Sequence, residues 1–94
     1  MLFMVIEHYK NRDAVAVYRR FQEKGRMAPE GVRYVNSWVE MNFDRCFQVM
    51  ECSDECLLRE WIRHWEDLVD FEIIPVRTSQ KAASAVFVFV TKST

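Results

Sequence analysis

An α+β fold is what this sequence predicts, with strands and helices in the order βαββαβ. Three observations carry it. Short apolar or alternating runs lie at Leu2–Tyr9, Val32–Met41, Cys46–Cys52 and Phe71–Val76. Two segments between them have helical spacing, and Asn, Asp, Gly and Pro punctuate the joins. The two middle strands follow one another directly, as a hairpin does.

Leu2–Tyr9 is apolar or aromatic on both parities until Glu7 and His8, so both of its faces should be covered. Lys10–Asp13 is a polar break in which Asn11 or Asp13 can cap the next helix. Ala14, Val17, Tyr18 and Phe21 then form one helical stripe, and Gly25 ends the helix. Met27–Gly31 is a loop. On Val32–Met41, the residues Val32, Tyr34, Asn36, Trp38 and Glu40 should share one face. Asn42–Arg45 turns the chain into Cys46–Cys52. Ser53–Glu55 opens a second helix, whose stripe is Leu57, Trp61, His64, Trp65 and Leu68. Pro75 in the fourth strand argues for an edge position or a bulge.

This is the split βαβ, or ferredoxin-like, order: an antiparallel sheet with two helices on one face. The other face needs a cover, and a second copy of the chain supplies it economically. Residues 77–94 extend the 1–76 core. Ser79–Ala85 suits a short helix, and Val86–Val90 reads as an additional C-terminal strand that joins the sheet or the partner's edge.

The composition fits one domain at 94 residues, spanning 1–94. It is 50% hydrophobic with three Trp, seven Phe and five Met, which excludes a disordered tail. So much apolar surface in so small a chain also points to a contact surface. A net charge of -1 excludes the electrostatic footprint of a nucleic-acid binder. No membrane segment is expected, because the Ala82–Val90 run is too short to cross a bilayer. No signal-peptide pattern is present, and Cys46, Cys52 and Cys56 are odd in number, so free thiols and a cytoplasmic location are expected.

Candidate chemistry gathers on few residues. Tyr34, Asn36 and Trp38 alternate on one strand face, and an amide on an aromatic wall suits a small-molecule pocket. Trp61, His64 and Trp65 on the second helix would form the opposite wall. Asn36 and His64 are the candidate catalytic pair. Glu7, Glu51 and Glu72 read as solvated acids at the sheet edge, and Arg33 and Arg45 as surface cations. Cys52 and Cys56 with Cys46 or His64 do not match a zinc-site spacing, so no metal is expected. Cys56 in a first helical turn is the one thiol the helix dipole would activate. Phosphate-loop, dinucleotide-binding and nucleophile-elbow motifs are missing from the sequence.

The blocks AVYRRFQEKGRMAPEGVRYVNSWVE, FDRCFQVMEC and EWIRHWEDLVDFEIIPV resemble a family of short stand-alone bacterial proteins known only as a domain of unknown function. The likeness runs from Met1 to about Val76, and the Val86–Val90 run departs from the usual family tail. At the level of fold the chain is similar to the dimeric α+β barrel superfamily. That likeness implies two ferredoxin-like sheets packed face to face, with pockets between sheet and helices. It also brings in cofactor-independent and haem-degrading monooxygenases, muconolactone isomerases and stress-responsive barrel proteins.

The expected function is therefore a homodimer, formed through the sheet face and the Val86–Val90 strand, that binds a small apolar or aromatic molecule with no cofactor. Tyr34, Asn36, Trp38, Trp61, His64 and Trp65 would line the pocket. The alternative is a cofactor-independent monooxygenase or isomerase built on Asn36 and His64, with haem on His64 as a special case. A third reading is an assembly partner that docks through its apolar tail.

Overall fold

The computed structural model describes the backbone of residues 1–93 and the side chains of residues 1–87. Its elements are β1 (Leu2–Tyr9), a 3-10 turn at Lys10–Arg12, α1 (Ala14–Lys24), β2 (Arg33–Val39), β3 (Arg45–Glu51), α2 (Glu55–Arg63), β4 (Val69–Val76) and α3 (Ser79–Ser93). The strands form one four-stranded sheet in the order β2-β3-β1-β4. Every neighbouring pair is antiparallel. The result is an α+β fold with three helices, consistent with a ferredoxin-like arrangement.

Local chemistry explains the boundaries. Asp13 caps α1 by accepting the Ala16 N–H at 3.1 Å. Gly25 ends it with φ +70°, a conformation that costs glycine nothing, and returns its N–H to Phe21 O at 2.7 Å. Asp54 caps α2 through the Cys56 N–H at 2.9 Å. Pro75 is tolerated because β4 is an edge strand. The turn between β2 and β3 is held by Arg45, which grips Glu40 with two hydrogen bonds of 2.6 and 3.1 Å.

The core lies on one side of the sheet. Phe3, Val5, Tyr9, Cys46, Met50 and Val69 from the sheet meet Val17 of α1 and Leu58 and Trp61 of α2, with Trp65 just beyond it. Leu2, Met4, Ile6, Phe47 and Val49 point to the other side, and none of them is fully buried.

Three expectations need correction. The tail is a helix through Val86–Val90, not a strand. Thr78 starts it, accepting the Lys81 N–H through its hydroxyl and the Ala82 N–H through its carbonyl. Ala82, Ala83 and Ala85 favour the helix, which satisfies its own backbone, whereas a strand needs an edge to pair with. The side chains of residues 88–90 lie outside the described ones.

α2 is also shorter than its stripe. It stops at Arg63, and residues 64–68 form turns that still bury Trp65. Leu58 is fully buried while His64 is exposed, so the stripe is rotated toward Leu58.

The third correction concerns β2. Tyr34 pairs with Met50 and Asn36 with Val49, so a β-bulge falls at Val35. The extra residue breaks the alternation. Tyr34 therefore lies on the helix side, with Ser37 and Val39, while Asn36 and Trp38 lie on the opposite side.

Candidate functional site

A cleft of about 170 Å³ opens between the helix-side face of the sheet and the two covering helices. Its floor is Glu7 of β1, Cys46 and Gln48 of β3, and Ser37 and Val39 of β2. Val17, Tyr18 and Phe21 of α1 form one wall, and Trp61 and Trp65 the other. Arg26, from the loop after α1, stands with them.

The loop and the indoles fix each other. Trp61 Nε1 and Trp65 Nε1 both donate to the Arg26 carbonyl, at 2.9 and 3.0 Å. That pairing satisfies two buried indole N–H groups and fixes both rings in the cleft wall. The Arg26 guanidinium stacks over Tyr34, 3.7 Å from the ring centroid, and lies 5.2 Å from that of Phe21. The Tyr34 hydroxyl is hydrogen-bonded to Ser37 Oγ at 2.7 Å. Across the roof, Arg20 of α1 reaches the turn beyond α2. It makes a two-pronged pair with Asp67 at 2.6 and 2.7 Å and donates to His64 O at 2.9 Å.

Glu7 is the unusual group. It is 7% exposed, in the middle of the sheet. Burial pushes its carboxyl up to about 7, and a hydrogen bond with Cys46 and the charge of Arg26 pull the other way without undoing the shift. Cys46 sits opposite Glu7 in the β1–β3 register. Burial and the neighbouring carboxylate push its thiol up to about 12, so it stays protonated at neutral pH. The Tyr9 hydroxyl is raised too, by burial and by a hydrogen bond with Tyr18, whose ring lies edge-on at 6.4 Å. The floor thus holds one group able to gain or lose a proton near neutrality, in an otherwise apolar recess.

The predicted residues scatter. Trp61 and Trp65 line the cleft; Tyr34 does not, but lies beneath Arg26, which does. Asn36 is exposed on the far side of the sheet, where its Oδ1 accepts the Ser37 N–H at 2.8 Å. Trp38 is also on that side and 55% exposed. His64 is exposed after α2 and does not line the cleft. Asn36 and His64 therefore do not converge.

Cys56 does not fit the activated thiol either: the Asp54 carboxylate beside it raises its pKa. Among the described residues, no group of three His, Cys, Asp or Glu side chains gathers as metal ligands would. Arg33 and Arg45 are paired with Glu51 and Glu40.

Sequence reasoning passed over Glu7, Cys46 and Gln48. Glu7 was expected as a solvated edge acid; it is buried at the centre instead, because β1 lies between β3 and β4. The signal was in the alternation. Phe3, Val5, Glu7 and Tyr9 share one parity, as do Cys46, Gln48 and Met50. A polar residue on the buried parity marks a site more sharply than an aromatic residue does.

Comparison with known proteins places the chain in a family. The model of the domain of unknown function DUF3303 matches residues 1–89, and the chain belongs to that family. The match reaches well into the apolar run of α3. No curated protein and no solved structure matches the chain. Among the described residues, no helix is long and apolar enough to cross a membrane.

Proposed function

We propose that this protein is a homodimer of ferredoxin-like protomers, of the dimeric α+β barrel kind, that binds a small apolar or aromatic molecule between sheet and helices. The observation that carries the binding reading is the cleft itself: two indole rings and Phe21 above a buried carboxyl. The dimer reading is supported by the other side of the sheet, where Met4, Ile6, Phe47, Val49 and Trp38 form an apolar surface with no fully buried member. A partner sheet would cover it, with α3 free to contribute in place of the strand first expected. A cytoplasmic setting agrees with the free thiols Cys46, Cys52 and Cys56.

The test is titration with single-ring aromatic fragments in a Trp38→Phe background, where only Trp61 and Trp65 report. Saturable quenching is expected. No saturable change up to millimolar fragment would overturn the reading.

Glu7 favours a second reading, a cofactor-independent isomerase. A carboxyl that titrates near 7 is matched to proton transfer at neutral pH. In that case Glu7, not Asn36 or His64, moves the proton, and Glu7→Gln abolishes turnover while the fold survives.

A further inference from the structure

The polar groups of the cleft are not balanced. Several of its donors are committed. Both indole N–H groups go to the Arg26 carbonyl, and the Ser37 hydroxyl is shared with Tyr34. One N–H of the Gln48 amide donates to Met50 Sδ at 3.2 Å, which leaves its second N–H and its carbonyl oxygen for another partner. The Tyr9 and Tyr18 rings lie edge-on with centroids 6.4 Å apart. The acceptors at the floor are the Glu7 carboxylate and the Gln48 carbonyl, near neighbours on β1 and β3. The volume limits the ligand as well. A dry cavity of about 150 Å³ holds one benzene ring, and this cleft measures about 170 Å³.

We infer that the cleft takes a single aromatic ring bearing a hydrogen-bond donor, such as a hydroxyl, which Glu7 and Gln48 receive while Trp61 and Trp65 cover the ring. This rests on the small-molecule reading above and names its ligand class. A donor is favoured over an acceptor because an ionised carboxylate only accepts, and a hydroxyl-to-carboxylate bond in a desolvated site is short and strong. Arg26 also lines the cleft, and stacking over Tyr34 leaves its N–H groups able to donate; a ring hydroxyl meets both demands, giving its proton to Glu7 while its oxygen accepts. The titratable or charged groups facing Glu7 are Cys46 from β3, Tyr9 from β1, Tyr18 from α1 and Arg26 from the loop. The two thiol and phenol groups with raised pKa, Cys46 and Tyr9, keep their protons through neutrality, so Glu7 sets the pH response. Ring binding should strengthen as pH rises from 6 to 8 and Glu7 ionises.

The experiment compares p-cresol with p-xylene, two rings of equal size of which one carries a donor. Binding is followed by the indole N–H resonances of Trp61 and Trp65 in wild type, Glu7→Gln and Glu7→Leu. At pH 8, p-cresol is expected to bind wild type about 10-fold more tightly or better. The preference should shrink in Glu7→Gln and vanish in Glu7→Leu, and in wild type it should fall on acidification to pH 6. Equal binding of the two rings by wild type, or a preference insensitive to pH, would overturn the inference and leave the small-molecule reading standing. No binding of either ring would overturn both.

Discussion

Along β1, Phe3, Val5, Glu7 and Tyr9 face the helices, while Leu2, Met4, Ile6 and His8 face away. The central polar residue, Glu7, is on the covered side, and the central apolar ones, Met4 and Ile6, are on the uncovered side. A fold governed only by solvation would reverse that. A carboxyl under two helices is costly unless something uses it, and a bare apolar sheet is costly unless something covers it. The covered face holds the candidate site because its one ionisable floor group is shut away from water. The uncovered face is suited to contact because it lacks such a group at its centre.

Breaking each face should have different consequences. The largest effect is expected at Trp61, which is 2% exposed, packs edge-on against Phe71 and holds the Arg26 loop. Trp61→Ala should cost about 3–5 kcal/mol of stability, read by chemical denaturation. The same truncation at Phe47, on the other face, should cost the isolated protomer far less.

The next effect is the pH dependence set by Glu7. Its folded pKa, about 7, lies above the ordinary 4.5, so the folded state holds a proton that the unfolded chain releases. Stability is fully present below pH 4.5 and is lost as pH rises to about 7, a span of about 3 kcal/mol. Glu7→Gln should flatten that slope in denaturation curves measured between pH 5 and pH 8.

On the uncovered face, Phe47→Asp should leave the fold intact and shift the light-scattering mass from dimer to monomer. The expected loss at an aromatic anchor of the proposed interface is about 2 kcal/mol of association energy or more. A wild-type mass of one chain would refute the dimer.

The smallest effect sharpens the description of the roof. Arg20 ties α1 to Asp67, whose carboxyl it holds down at about 2. Because a depressed carboxylate stabilises only while ionised, that contribution is present above the ordinary 3.8 and is lost as pH falls through about 2. The pair is largely exposed and screened, so Asp67→Asn should cost under about 1 kcal/mol at neutral pH.

Most of the fold was legible in the chain. Apolar or alternating runs placed the four strands, Gly25 ended α1, Asp13 was one of the two residues offered as its cap, and an edge was one of the two positions that Pro75 allowed. Two things were not. The bulge at Val35 is invisible to a strict period of two, and it moved Tyr34 away from Asn36 and Trp38. The Val86–Val90 run follows β-propensity, but its upstream alanines and Thr78 cap carry a helix through it. The site was half legible. Trp61 and Trp65 were read from their stripe, whereas Glu7 shared the buried parity of Phe3, Val5 and Tyr9 but could be told from a solvated edge acid only once pairing put β1 between β3 and β4.

The claim on which the account turns is that Glu7 lies buried at the floor of a cleft, protonatable near neutrality. Carboxyl carbon NMR of the folded protein, assigned by loss of the signal in Glu7→Gln, measures it directly. A titration midpoint near 7 is predicted. A midpoint near the ordinary glutamate value of 4.5 would mean that water reaches Glu7 freely, and would contradict the account.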